Sequence, residues 1–266
     1  MSFFKKILNT VPRPILIQLS RLARPVLDIF YRGNTYYDPI NEKGYRKFLP
    51  YGYVNIRTQV LSPGTLSLER HRLMWLYLKN ETDFFRTPSK VLHIAPEQAF
   101  YKRLKKMNNL EYLTADLYSP LAEVKADITH LPFENNSFDV IFCNHVLEHV
   151  KDDYSAIQEM FRVMKSGGFG IFQVPLDSNR TITFEDDSIT NAEERTKIFG
   201  QYDHLRIYGM DYFDKLAQAG FVVKTMAVKQ QFSEKEIEKY RLDRNEILPV
   251  VFKSRITNGY EFKVES

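Results

Sequence analysis

"KVLHIAPEQAF", Lys90 to Phe100, is the stretch on which the fold turns. An apolar run of strand length meets a proline turn and then residues that favour a helix. In an open α/β sheet, ligands bind in the crevice beyond the carboxyl ends of the strands, and dinucleotide-binding folds fill the first such turn with glycine. This turn contains no glycine, so either the site dispenses with it, the site has decayed, or no site exists.

Working outward, further strand-length apolar runs are "LEYLTAD" (110–116), "FDVIFCN" (138–144), "FGIFQVP" (169–175), "FVVKTMAV" (221–228) and "EILPVVFK" (246–253). Helical segments are expected at Gln98–Lys106, Asp152–Met164 and Met210–Ala219. Buried strands alternating with helices indicate an α/β fold with a parallel, doubly wound sheet. The glycines of "KSGGFG" (165–170) and "QAGF" (218–221) are expected in turns that stop helices.

The chain has 266 residues, 44% hydrophobic and 26% charged, an ordinary globular composition. The net charge of +4 permits an anionic partner without requiring one. A single cysteine, Cys143, excludes an internal disulfide framework and suits a reducing compartment. No apolar run reaches the length of a membrane span, and no secretory signal pattern opens the chain, so a cytoplasmic protein is expected.

Residues 1–34 form a segment of their own. Lys5, Lys6, Arg13, Arg21 and Arg24 precede the first acid, Asp28, and Leu16, Leu19, Leu22, Val26 and Phe30 recur at helical spacing. Two readings stay open: peripheral contact of residues 1–30 with the inner membrane face, or a helix docked on its own domain. Pro12, Pro14 and Pro25 weigh against a continuous membrane helix. Residues 35–86 form a small turn-rich segment followed by a helix over Ser67–Lys79, and 87–266 the main domain, with 176–209 a lid.

The residues just past each apolar run are the candidate ligands of a cofactor: His93, Ala95, Glu97 and Gln98; Asp116 and Leu117; Asp127 and Ile128; Asn144 and His145. An acid closing the second strand suits a ribose, because a carboxylate accepts from vicinal hydroxyls. Three blocks, "LPFENNSFDVIFCNHVLEHV" (131–150), "AIQEMFRVMKSGGFGIFQVP" (156–175) and "LAQAGF" (216–221), occur in an order and spacing that resembles the class I S-adenosylmethionine-dependent methyltransferases, type 11 group, over residues 88–230. The resemblance implies a Rossmann-like sheet of seven strands with helices on both faces, and S-adenosylmethionine as cofactor. It implies that His93–Gln98 contact the methionine part, Asp116 the ribose, Asp127 the adenine amino group and Ile128 the ring. Asn144 and His145 would border the methionine end.

The family's usual first motif has an acid and a Gly-x-Gly turn; here His93 and Ala95 stand in those places, similar to a bacterial branch with a His-x-Ala-Pro-Glu motif. Upstream, Asp38, Asn41, Ser62 and Thr65 occupy the spacing of a zinc ribbon, whose cysteines related methyltransferases carry. None of the four suits structural zinc, so a metal-free ribbon-like segment or two ordinary proline turns is expected.

Methyl transfer needs in-line alignment and removal of a proton. Candidates for the base are His145, Glu148, His149 and His204. Tyr202, His204 and Arg206 are expected to point inward from the lid toward the acceptor, although a surface helix in "NAEERTKIF" (191–199) would leave His204 without a role. The reading favours a small-molecule or lipid-linked acceptor. A nucleobase amino acceptor is disfavoured, because "NHVL" replaces Asn-Pro-Pro-aromatic after the fourth strand, so no specific nucleic-acid partner is expected. No metal ligand is assigned. A non-catalytic methyltransferase-like binding protein is the alternative, and a zinc hydrolase through His145, Glu148 and His149, in a His-x-x-Glu-His pattern, a remote one.

Overall fold

A computed structural model describes residues 24–52, 56–254, 256–257 and 260–261. Most of the N-terminal basic segment therefore lies outside the described residues. Residues 24–30 are helical, with Val26, Ile29 and Phe30 exposed. Among the described residues no helix is long and apolar enough to cross a membrane.

The chain divides into two compact units, one of residues 83–97, 103–227 and 247 onward, the other of residues up to 82 with 98–102 and 228–246. Residues 98–102 and 228–246 cluster with the N-terminal part.

The larger unit is built on seven strands: β1 (Ser89–Ile94), β2 (Leu110–Asp116), β3 (Val124–Lys125), β4 (Phe138–Cys143), β5 (Met164–Ile171), β6 (Val222–Ala227) and β7 (Ile247–Phe252). Their order is β6-β7-β5-β4-β1-β2-β3. The first five run parallel, while β7 inserts antiparallel between β5 and β6. Val91 to Ile94 are all buried, as a central strand covered on both faces requires. The reversed final strand was not legible as such, because "EILPVVFK" reads as a buried strand whichever way it runs.

Helices α2 (Gln98–Leu104), α3 (Asp153–Val163) and α5 (Tyr212–Gln218) follow the expected segments, after α1 (Glu69–Asn80) in the smaller unit, while α4 (Ala192–Phe199) is the helix that the sequence offered only as an alternative to a lid. Asp152 caps α3, its side chain accepting from the Ser155 amide at 2.9 Å. Ala156, Ile157, Met160 and Val163 then form one buried stripe on the core shared with Leu92, Ile141 and Phe172.

The "KSGGFG" glycines are not a helix-stopping turn. They lie inside β5, where Phe138 pairs with Met164 but Val140 pairs with Phe169, so the intervening residues bulge out of the ladder. Gly167 has φ 82°, and a Cβ on Gly168 would sit 2.8 Å from the Asp139 carbonyl oxygen.

In the smaller unit two antiparallel ribbons, Arg32–Asp38 with Lys43–Tyr45 and Leu49–Tyr51 with Arg57–Leu61, precede α1. Three of the four ribbon positions meet. The buried Asp38 carboxylate accepts from the Ser62 hydroxyl, the Thr65 hydroxyl at 2.5 Å and the Ser67 hydroxyl at 3.3 Å, and from the Ile40 amide at 2.9 Å. The fourth, Asn41, turns to the Tyr45 hydroxyl at 2.7 Å. One carboxylate ringed by hydroxyls thus joins the two turns. Arg72, fully buried, donates to the carbonyls of Ser67 (2.7 Å), Tyr240 (2.6 Å) and Arg241 (2.8 Å), and its burial pulls its pKa down to about 10.

Candidate active site

Register sets the site. Ile94 pairs with Ala115 on one side and with Cys143 on the other. The next residues, Ala95, Asp116 and Asn144, therefore leave the sheet at one level. Phe142 pairs with Ile171, which brings Gln173 to the same edge: its amide donates to Asn144 Oδ1 at 3.3 Å, and its carbonyl accepts from the His145 amide at 2.7 Å.

Two of these exits pass through the left-handed region without glycine. Ala95 has φ 50° and His145 has φ 54°. An L-residue there costs on the order of 1–2 kcal/mol, and such strain concentrates at functional sites. The glycine-less turn thus keeps the backbone path that glycine would favour, and the Ala95 amide still donates to the Ala115 carbonyl at 2.9 Å.

Glu97 follows the turn, and its Oε2 accepts from Asn144 Nδ2 at 3.1 Å, which ties the β1 loop to the β4 loop. His93 does not face the cleft. It is 0% exposed, its Nδ1 lies 2.8 Å from the Tyr112 hydroxyl, and its Nε2 is 3.9 Å from Glu97 Oε2, so it supports the loop from within β1. Gln98 opens α2. Asp116 Oδ1 accepts from the amides of Tyr118 (2.6 Å) and Ser119 (2.5 Å), and a cleft of about 370 Å³ is lined by Asp116, Leu117, Tyr118, Ser119, Ala122 and Lys125. Asp127 is exposed, and its carboxyl is held below the usual range by the amide and hydroxyl of Thr129. Ile128 is buried in the core cluster.

The motif "HVLEH" is not an α-helix. Leu147–His149 is a single 3₁₀ turn, and His145 precedes it in the left-handed conformation. The one-face i, i+4 pair that the zinc-hydrolase reading needs is therefore not formed. His145 Nδ1 instead lies 3.2 Å from Oε1 of the fully buried Glu148. Burial alone would raise the Glu148 carboxyl, but the neighbouring His145 and His149 outweigh it and hold it below the usual range.

The stretch 176–209 is ordered around α4, capped by Asn191, and a short ribbon pairing Phe184–Glu185 with Arg206–Ile207. This packs His204 edge-on against His149, ring centroids 4.8 Å apart, while the Leu205 amide donates to the Glu148 carbonyl at 2.8 Å. His204 therefore joins the cluster although a helix does occupy "AEERTKIF". The other two lid candidates differ in their surroundings. Tyr202 is 62% exposed, and Arg206, 4% exposed, donates to the carbonyls of Leu147 (2.9 Å), Val150 (2.5 Å) and Lys151 (2.9 Å) and to Glu185 (2.8 Å). Arg206 thus staples the turn that carries Glu148.

Sequence reasoning missed Gln173. Its side chain is buried with neither amide atom hydrogen-bonded, a costly state that native proteins rarely tolerate away from binding sites. The available signal was a polar residue interrupting the apolar run "FGIFQVP".

Residues 79–172 match the family model described as a methyltransferase domain. An uncharacterised protein of Methanocaldococcus jannaschii is 41% identical over 76 residues, 26% of this chain and 33% of its own. A demethylmenaquinone methyltransferase of Staphylococcus epidermidis is 47% identical over 45 residues, 17% of this chain and 19% of its own. The matches thus span about a third or less of these curated relatives. A solved S-adenosylmethionine-dependent methyltransferase of Archaeoglobus fulgidus aligns with TM-score 0.44 at 14% identity, covering 67% of this chain and 92% of that one. The family match spans β1 to β5, with the reversed β7 beside β5, so this part of the sheet is similar to a methyltransferase domain.

Proposed function

We propose that the chain transfers the methyl group of S-adenosylmethionine to a small-molecule or lipid-linked acceptor. The observation that carries this reading is the common level at which Ala95, Asp116, Asn144 and Gln173 leave the sheet. The residues suit the methyl donor. Asp116 Oδ1 is taken by loop amides, which leaves Oδ2 for a ribose hydroxyl. Glu97, steadied by Asn144, offers a carboxylate for the ammonium group, and Gln173 holds a buried amide in need of a partner. Asp127 and Ile128 are assigned to the adenine, with Leu117 beside the ribose.

When bound, the donor supplies an electrophilic methyl group on a sulfonium. The chain's part is to align the acceptor in line with it and to take up the proton the acceptor loses. The side chains we assign to that proton are the contiguous set His145, Glu148, His149 and His204. A small apolar or lipid-linked acceptor is supported by relatives named as methyltransferases of demethylmenaquinone, of 2-phytyl-1,4-naphtoquinone and of sterols.

Calorimetric titration with S-adenosylmethionine and S-adenosylhomocysteine tests the first half. Wild type is expected to bind both, and Asp116→Ala and Glu97→Gln to bind at least about tenfold more weakly with unchanged circular dichroism, as loss of a charged hydrogen bond implies. Methyl-labelled donor with lipid and metabolite extracts tests the second. Binding without label transfer to any fraction would favour the non-catalytic reading.

A further inference from the structure

Glu148, His149 and His204 form a constellation that methyl-donor binding does not require; with an ion held there, His145 alone of the set assigned above would remain to take the acceptor's proton. One ligand-type atom from each lies within 4.8 Å of the others. We propose that these three side chains bind one divalent first-row cation of the zinc or cobalt type.

Three independent features point to an ion. First, Glu148 is fully buried, and neither of its carboxylate oxygens takes a hydrogen bond of acceptable geometry, even with His145 Nδ1 3.2 Å from Oε1. A carboxylate buried in that state, with imidazoles as its neighbours, is suited to a further positive partner. Second, both histidines direct Nδ1 to outer-shell acceptors. His204 Nδ1 is 3.1 Å from the Phe199 carbonyl, and His149 Nδ1 is 3.3 Å from both the carbonyl and Oδ2 of Asp203. A carbonyl only accepts, so Nδ1 is the donor in these contacts, and Nε2 is the nitrogen left to ligate. That arrangement, a ligating imidazole oriented through its other nitrogen, recurs around bound metals. Third, the lid element and the strand-end turn are tied together there, with the Leu205 amide on the Glu148 carbonyl and Arg206 on the carbonyls of Leu147, Val150 and Lys151. The outer pair, Asp203 and Phe199, thus sits on a fixed frame.

Two imidazoles and one carboxylate suit zinc, cobalt or ferrous iron rather than calcium or magnesium. Zinc–ligand bonds of about 2.0–2.1 Å set tetrahedral donors roughly 3.3 Å apart, so the side chains draw in by rotation when the ion enters. Three protein ligands leave a position open to water or to an oxygen of the acceptor.

The site is tested on the full chain without a histidine tag, stripped with chelator and titrated with cobalt(II) alone. No methyl donor is present, so the outcome is independent of the methyl-transfer reading. The expected result is visible ligand-field absorption saturating at one equivalent and displaced by zinc. His149→Ala and His204→Ala should each weaken binding at least about 100-fold, and Asp203→Asn about tenfold, as outer-shell changes do. Absence of cobalt absorption in wild type, or absorption that survives His149→Ala undiminished, overturns the proposal. Should buried His204 prove necessary for folding, His149→Ala decides alone, since that side chain is 30% exposed and can be truncated without opening the core.

Discussion

Replacement of Arg206 separates a structural role from an acceptor-binding one. The guanidinium spends its donors on three carbonyls of one turn, at Leu147, Val150 and Lys151, and on Glu185. Truncation to alanine leaves those carbonyls without their charged donor in a buried setting. A charged hydrogen bond contributes about 1.5–3 kcal/mol, and the three are not additive because they hold the same turn. The Glu185 pair adds little, since that carboxylate is 58% exposed. The expected loss is on the order of 3–5 kcal/mol, or roughly 10 °C in Tm for a domain of this size. Lysine restores charge without the planar fork and should recover little of it. Urea unfolding gives the loss as a fall in midpoint at constant slope, and acceptor KM, measured below the new Tm, should stay within about twofold if the guanidinium serves the turn alone. A Tm within a degree of wild type together with a raised acceptor KM would refute this account and return Arg206 to the lid's binding face.

Three further outcomes follow from the same geometry. Asp38→Ala removes the acceptor shared by Ser62, Thr65 and Ser67, and thermal unfolding should show a loss of about 3–5 kcal/mol that added zinc does not rescue. Burial pushes the Glu246 carboxyl from 4.5 up to about 7. Between those values the folded chain keeps a proton that the unfolded chain has lost, so stability falls as pH rises across the window and is level above it. Glu246→Gln should leave stability near pH 4 unchanged and raise it near pH 8 by about 1–3 kcal/mol, measured by urea unfolding at both values. At Ala95, with φ 50°, glycine removes strain but adds unfolded-state entropy, so Ala95→Gly should shift stability by less than about 1 kcal/mol. Valine, β-branched, should cost at least about 2 kcal/mol there. Denaturation of the two variants side by side checks the sign, and a tolerated valine would mean the loop is not left-handed in solution.

The strands and helices were legible because each carries its own period. The β1 run is apolar on both faces, and α3 shows the 3.6-residue stripe ending in Val163. Less legible was everything that depends on what a side chain meets after folding. "KSGGFG" reads as a turn from composition, yet those glycines serve a bulge inside β5 where the Asp139 carbonyl presses close. Arg206 and His93 read as site residues from their position beside the cleft, but each is buried on partners at distant positions, Leu147 to Lys151 for one and Tyr112 for the other. His204 reads from the sequence as a candidate base carried on the lid. No local pattern could set it beside His149, because the approach is made by a ribbon of two residues per strand.

The glycine-free turn shows why residue type and backbone conformation must be kept apart. Glycine serves such loops in two ways: it enters the left-handed region at no cost, and it lets a ligand approach the bare backbone. Ala95 retains the first at a cost in strain and gives up part of the second, since its Cβ projects where none would otherwise be. A pyrophosphate pressed against the turn would not tolerate that methyl group, whereas S-adenosylmethionine has no pyrophosphate to place there. His145, left-handed at the end of the adjacent strand, repeats the same conformation with a larger side chain. Strain at two neighbouring strand ends, stabilised by the Glu97–Asn144 bond between their loops, therefore marks the edge where binding energy is best used: a ligand bridging both loops would be held by a framework already set in shape.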